Sequence, residues 1–233
     1  MWSGPRNIST ALMYSFRERL DTEVFDEPLY GHYLATTGVE HPGHSAVLAA
    51  MDTDGARVVR EVLLADCERP IRFYKNMAHH LVGLDLSFLD QLTNLLLTRN
   101  PAEMLASLVK NVPSAGIEAT GLLQQSTMID RELAAGRQPI VLDAGEVLKD
   151  PRSVLGVLCE RLQIPFRETM LSWAEGPKPE DGVWARDWYA NVHRSTGFAR
   201  YRPPTTTVPD HLEATLDECV PLYERIAQYA IRA

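Results

Sequence analysis

The sequence predicts an α/β fold, a parallel sheet with helices on both faces. Three observations predict it. Short apolar runs alternate with longer stretches of helical periodicity, the connections between them are short, and the run over residues 93–98 (Thr-Asn-Leu-Leu-Leu-Thr) is almost continuously apolar. Alternation with short connections is the signature of strand–helix–strand units. A continuous apolar run suits a strand buried on both faces.

The elements follow in chain order. A helix is expected over residues 9–20, opened by Ser9 and Thr10, with Ala11, Leu12, Tyr14, Ser15 and Phe16 in its first turns. Residues 22–25 (Thr-Glu-Val-Phe) read as a short strand ended by Asp26, Glu27 and Pro28. Residues 45–64 are mostly helical, with a break at 52–55, and residues 71–74 (Ile-Arg-Phe-Tyr) form the next strand. After the buried strand, Pro101 stands where a helix favours proline, and the helix continues over residues 102–110. A long helix is expected over 117–135, a strand over 139–142, an amphipathic helix over 152–162, and a C-terminal helix over 210–232. Residues 174–209, rich in Pro, Gly, Trp and polar side chains, read as an irregular segment lying over the domain.

Composition narrows the function. The chain has 233 residues, 45% hydrophobic and 23% charged, with a net charge of −8. The length fits one large domain or two small ones, and the proportions are those of an ordinary soluble globular protein, which excludes a collagen, a disordered tail or a disulfide-stapled module. The acidic balance argues against a nucleic-acid partner. It permits a small anionic ligand, because a local pocket can oppose the global charge. Cys67, Cys159 and Cys219 are scattered and form no C-x-x-C pair, which suits a cytoplasmic setting. There is no apolar run of membrane-spanning length, and the start lacks the pattern of a signal peptide, so no membrane partner is expected.

Absent motifs remove whole classes of enzyme. None of the four lysines (Lys75, Lys110, Lys149, Lys178) follows a glycine, so a Walker A loop is missing. Glycine spacings exclude G-x-G-x-x-G and the G-x-S-x-G elbow, and no His-Glu pair opens a zinc helix.

Two constellations remain. In the first, Pro5, Arg6, Asn7 and Ile8 form a turn into a helix that begins Ser9, Thr10. A helix N-terminus presents free N–H groups and a positive dipole end, Arg6 adds a fork of donors, and the hydroxyls add more. An ordinary serine cap beside a surface arginine is the equal alternative. In the second, Arg99 ends the buried strand, at the edge where open α/β sheets bind ligands, and Ser107 lies about two turns into the next helix. The alternative is an arginine that salt-bridges the sheet edge and a serine that merely packs.

Taken together, these residues resemble the P-loop sulfotransferase family, which uses 3′-phosphoadenosine 5′-phosphosulfate (PAPS). Pro5-Arg6-Asn7-Ile8-Ser9-Thr10-Ala11-Leu12 matches that family's loop for the 5′-phosphosulfate in register. Arg99, Pro101 and Ser107 reproduce its 3′-phosphate motif. Glu146, Asp150-Pro151 and Leu162-Gln-Ile-Pro-Phe166 resemble a later landmark. The resemblance implies a single domain over residues 1–233 with a three-layer P-loop fold and a helical, irregular C-terminal cover. It implies PAPS as co-substrate without a metal, a small-molecule acceptor, and, since such enzymes often pair, room for a homodimer. Two departures stand out. Ile8 replaces a loop glycine, so the backbone is expected to approach the phosphate less closely. Only Met1 and Trp2 precede Ser3, so either the start is placed late or the first strand is truncated.

The same resemblance points to a base for the acceptor, either Glu27 after the second strand or a histidine, His79 or His80, after the third, with Lys75 contacting sulfonate or substrate. The alternatives are an ion-paired Glu27 and satisfied core histidines. A late loop, Arg194, Ser195 and Gly197, resembles the family's closing contact to the 3′-phosphate. Trp184, Trp188 and Tyr189 are either stacking surfaces for adenine or an aromatic acceptor, or packing within the segment. His41 and His44 read as a surface loop, and Met104, Met128 and Met170 as core. The resulting expectation is sulfonate transfer from PAPS to a hydroxyl or amine. Its rivals are a non-catalytic protein that binds adenosine 3′,5′-bisphosphate, and a nucleoside-phosphate kinase or hydrolase with a degenerate loop.

Overall fold

A computed structural model describes residues 1–113, 115–202 and 207–232. The chain forms two compact units, each assembled from separate stretches. The first holds Met1, Ser9–Thr93 and Arg167–Phe198; the second holds Trp2–Ile8, Asn94–Phe166 and the chain from Ala199 on. The fold class is α/β: every strand ladder described is parallel, and helices flank the strands.

In the first unit, α1 (Ser9–Arg17) leads to β2 (Thr22–Asp26), α2 (Tyr30–Thr37), α3 (His44–Ala50), α4 (Gly55–Val58) and β3 (Ile71–Met77). β2 and β3 pair in a register that sets Asp26 beside Lys75. Met1 extends this ladder, its carbonyl accepting from Asn76 N at 2.9 Å. α1 packs on both strands through Leu12, Met13 and Phe16, and Phe16 stacks on Phe73 at 4.1 Å. Arg19 is buried just past the helix, where Asp21 and Thr22 accept from its guanidinium. The expected helix over 9–20 therefore ends at Arg17. Two more short helices, α9 (Ala185–Trp188) and α10 (Ala190–His193), lie in the otherwise irregular stretch after residue 174.

In the second unit, β1 (Trp2–Ser3) pairs with β4 (Leu95–Thr98), which pairs with β5 (Ile140–Asp143). β1 is two residues long. Trp2 is nonetheless anchored: its indole donates to Asn94 Oδ1 at 3.0 Å, and Gln125 Nε2 donates to its carbonyl at 3.0 Å. α5 (Pro101–Leu108), α6 (Leu122–Ala134), α7 (Ala144–Lys149), α8 (Pro151–Arg161) and α11 (Glu213–Ala227) complete this unit. Met104, Leu105, Met128 and Ile129 line a core with Leu95, Leu96, Leu97, Val141 and Leu142.

Three expectations change. The long helix over 117–135 is split by Gly121 at φ 75°, which separates a 3-10 turn, Ile117–Thr120, from α6. The C-terminal helix stops at Ala227; Ala230 then bridges Val141, and Ile231 N donates to Val141 O at 2.9 Å. α2 is an addition, because its Tyr-Gly-His-Tyr start gave no cap signal; its N-cap, Leu29, makes no side-chain capping bond. Among the described residues, no helix is long and apolar enough to cross a membrane.

Candidate active site

The loop after β1 is shaped by close contacts. A Cβ on Gly4 would lie 2.8 Å from the carbonyl oxygen of Thr120, so only glycine fits. Asn7 staples the turn: its Oδ1 accepts from Ile8 N at 2.9 Å, and its Nδ2 donates to Leu97 O at 3.2 Å. The left-handed position of the loop is Arg6, at φ 51°. Ile8 is not left-handed, so the position that resembles a family glycine needs none here. Pro5, Arg6, Asn7 and Ile8 are all half-buried. The chain then enters α1 directly, with Ser9 and Thr10 buried at its first two positions.

Arg99 follows β4 directly. Its Nη1 donates to the carbonyl oxygen of Arg6 at 2.7 Å, and its Nε donates to Glu103 Oε2 at 3.1 Å. Asn100 caps α5 by accepting from Ala102 N and Glu103 N, and Pro101 fills the first turn. α5 thereby carries Ser107 to Arg6, whose Nε donates to Ser107 Oγ at 3.1 Å. Arg6, Arg99 and Ser107, far apart in sequence, are thus gathered at the carboxyl end of the β1–β4 pair. The pKa of Arg6 is lowered by burial and by the like charge of Arg99. Arg99 has its counter-charge in Glu103, the salt-bridge alternative, whereas Arg6 stands half-buried beside it with no paired carboxylate among the described residues.

The first unit holds a separate buried cluster. Glu27 follows β2 in the left-handed region, φ 44°, a strained conformation held by Glu27 N donating to Lys75 O at 2.7 Å and Tyr30 N donating to Glu27 O at 2.9 Å. Lys75 Nζ contacts Glu27 Oε1, and donates to Asp26 Oδ1 at 3.0 Å and to the Tyr189 hydroxyl at 2.6 Å. Tyr189 donates to Asp26 at 2.8 Å, and Gly182 N donates to Asp26 Oδ2 at 3.1 Å. His80 Nε2 lies 4.0 Å from Glu27 Oε2. Its ring stacks on Tyr30 at 5.0 Å and on Tyr33 at 4.7 Å.

Burial governs the electrostatics here. It lifts Glu27 above the ordinary carboxylate range; Lys75 pulls the other way and Asp26 adds to the rise. Burial would lower Lys75, but Asp26 and Glu27 hold it above its ordinary value. His79 is pushed down to about 3 by burial and by His41. His80 is pushed well below 6.5 by burial, then by His79, His41 and Lys75. His80 is therefore neutral near pH 7, so its contact with Glu27 is not an ion pair.

The late loop is knit locally. Ser195 Oγ donates to Val192 O at 2.7 Å and accepts from Trp173 Nε1 at 3.1 Å. Gly197 bridges Ser172, and a Cβ there would meet Leu171 O at 2.9 Å. Arg194 is exposed, with Nη2 donating to Asn191 Oδ1 at 2.8 Å. Trp184 and Tyr189 are buried in a core cluster with Tyr30, Tyr33, Leu34 and Val47, and Trp188 packs against it, which favours the packing alternative. His41 sits on that cluster's edge, its Nδ1 3.0 Å from the Tyr30 hydroxyl. Sequence reasoning missed Asp26 and Tyr189 as partners of Lys75. The first follows only from the parallel register that sets Asp26 beside Lys75, which the sequence does not show. A contact spanning 114 positions to Tyr189 left none.

Parallel strands that gather Arg6, Arg99 and Ser107 at their carboxyl ends define an α/β protein with a cationic cluster at the edge where open sheets of this kind take their ligands. The family profile described as Sulfotransferase domain matches residues 1–230, and the chain belongs to that family. It is 40% identical over 223 residues to the Branched-chain-amino-acid aminotransferase-like proteins 1 and 2 of Arabidopsis thaliana, covering 95% of this chain and 40% of each relative. The chain thus spans about two fifths of the length of those relatives. Among solved structures, the sulfotransferase domain from the curacin biosynthetic pathway shares the fold, with TM-score 0.50 and 13% identity over 100% of this chain and 97% of that one.

Proposed function

We propose that this domain transfers a sulfonate group from PAPS to a hydroxyl or amine of a small-molecule acceptor. The observation that carries the reading is the pair Arg6 and Arg99, clamped together at the carboxyl end of β4 with no carboxylate paired to Arg6 among the described residues. Two guanidiniums and the Ser107 hydroxyl suit the anionic groups of such a ligand. When bound, PAPS supplies the sulfonate and a phosphate leaving group. Arg6, Ser9 and Thr10 hold the phosphosulfate and stabilise charge on the leaving oxygen. Arg99 and Ser107, with Arg194, hold the 3′-phosphate. Pro5, Asn7 and Ile8 shape the loop, while Ser195 and Gly197 shape the turn that carries Arg194.

Glu27 is the base we favour. Its raised pKa brings a carboxylate closer to the working pH, where a general base is most effective. His80 is held neutral, well below 6.5, and its ring is stacked on Tyr30 and Tyr33, so it packs against the Glu27 side chain instead. Lys75 is committed to the carboxylates, so its part is to hold Glu27. We read the chain as one functional domain in the cytoplasm, because the family match runs through both units and all three cysteines are free thiols.

The test is calorimetry with adenosine 3′,5′-bisphosphate and with ATP, without metal, followed by transfer from ³⁵S-labelled PAPS to a metabolite pool. Tight binding of the bisphosphate but not ATP, with label transferred, supports the reading. Binding of ATP alone points to a kinase or hydrolase, and bisphosphate binding without transfer points to a non-catalytic binder.

A further inference from the structure

The hydrogen-bond inventory around Lys75 is closed. An ammonium has three hydrogens to donate. Lys75 gives one each to Asp26, Glu27 and the Tyr189 hydroxyl, and it is 1% exposed. The Tyr189 hydroxyl is equally committed. It accepts from Lys75 and from Trp184 Nε1 at 3.0 Å, and donates its own proton to Asp26. Asp26 is held by Lys75, Tyr189 and Gly182 N. Glu27 Oε2 faces His80 Nε2 at 4.0 Å, and the Tyr189 hydroxyl also bonds the Glu27 carboxylate, which pulls its pKa down.

We propose that Tyr189 is a positioning residue for Glu27: its hydroxyl locks the Asp26–Lys75 pair so that Lys75 stays on Glu27 Oε1 and Oε2 is turned toward His80 to take the acceptor's proton. This rests on the reading of Glu27 as the base. The phenol reaches the cluster from the junction of α9 and α10, so a segment outside β2 and β3 sets the geometry of the carboxylate. The charged and titratable groups that bear on Glu27 are Asp26 on β2, Lys75 on β3, His80 after β3, Tyr30 on α2 and Tyr189. Removing the phenol hydroxyl takes a donor from Asp26 and the bond that lowers Glu27 directly. The Asp26 charge then acts more fully on Glu27 and raises the pH at which Glu27 ionises.

The experiment is a ¹³C titration of the full chain labelled at glutamate Cδ, with Glu27→Gln assigning the signal, compared between the parent and Tyr189→Phe. The expected result is an upward shift of the Glu27 midpoint by roughly one pH unit. A second variant carries 3-fluorotyrosine at 189, which keeps the shape but strengthens the donor; its midpoint moves down. An unchanged Glu27 midpoint in the folded variants overturns the proposal. If Tyr189→Phe does not fold, the fluorotyrosine chain decides alone. Sulfonate transfer by Glu27→Gln separates the two ideas. Full activity there removes Glu27 as base, whereas loss of activity with an unmoved midpoint in the Tyr189 variants removes only the positioning role.

Discussion

Arg99 Nη1 donates to the backbone carbonyl of Arg6 at 2.7 Å, so the second arginine fixes the main chain of the first in its left-handed turn. The guanidinium of Arg6 is then aimed by Ser107. Three residues, just past β4, on α5 and in the loop after β1, therefore act as one device. Arg99→Ala removes a charge and also releases the Arg6 backbone. The expected loss of affinity for adenosine 3′,5′-bisphosphate is about 100-fold, equivalent to about 3 kcal/mol for charged hydrogen bonds. Arg99→Lys recovers only part of it, because one ammonium cannot reproduce the fork that spans Arg6 O and Glu103. Calorimetry reads both, and wild-type affinity in Arg99→Ala would refute the site.

Ser107→Ala is a milder change. It removes the acceptor that aims Arg6 but leaves both charges. A single hydrogen bond contributes about 1 kcal/mol, so bisphosphate binding weakens about fivefold. A loss as large as that of Arg99→Ala would mean that Ser107 contacts the ligand more heavily than Arg99 does.

How much of this was legible in the sequence follows from the range of each interaction. Strand ends and caps are local, so Asn100-Pro101 before α5 and Asp150-Pro151 before α8 could be read directly. Arg6, Arg99 and Ser107 were legible as a set only through the family resemblance, since nothing local says that residue 6 meets residue 107. Lys75 was singled out for substrate, yet the structure commits its protons to Asp26, Glu27 and Tyr189. That outcome depends on the β2–β3 register and on a tyrosine from a distant turn, neither of which a composition or spacing argument reaches. The break at Gly121 was missed because periodicity continues across it; only the positive φ reveals that the glycine ends one turn and begins α6.

Gly4 tests the loop from the backbone side. A methyl group there meets the carbonyl oxygen of Thr120 at 2.8 Å, and a backbone atom has little freedom to move away. Gly4→Ala is expected to lower unfolding stability by about 1–3 kcal/mol, as overpacking does, and to weaken bisphosphate binding with it. Urea denaturation and calorimetry on the same variant measure the two effects. A variant as stable as the parent would mean that β1 and the Thr120 turn can separate freely.

Arg194 and Ser195 make a paired test of the late loop. Arg194 is exposed and hydrogen-bonded only to Asn191 among the described residues, so its charge is available to a ligand. Ser195 is tied to Val192 and Trp173. Arg194→Ala should weaken bisphosphate binding with little change in melting temperature. Ser195→Ala should lower the melting temperature, with affinity falling less. Equal affinities in the parent and Arg194→Ala would remove Arg194 from the site.

The buried histidines make stability depend on pH in a defined direction. In the unfolded chain His79 titrates near 6.5, whereas in the folded protein burial and His41 hold it at about 3. Between those values the unfolded state binds the extra proton. Stability is therefore complete above pH 6.5 and falls as the pH drops toward 3, by up to ~1.4 kcal/mol per pH unit for one fully buried histidine. His80 adds a loss of the same sign. Glu27 works oppositely, because its folded pKa is raised and its protonated form suits the buried site. The share of one histidine is isolated by comparing the parent with His79→Phe, which leaves Glu27 and His80 in place. Urea midpoints at pH 7.5 and 5.5 should show a smaller acid-induced loss in the variant, by about 1 kcal/mol. Identical losses in the two proteins would show that His79 accepts its proton in the folded state, and that its burial does not hold it neutral.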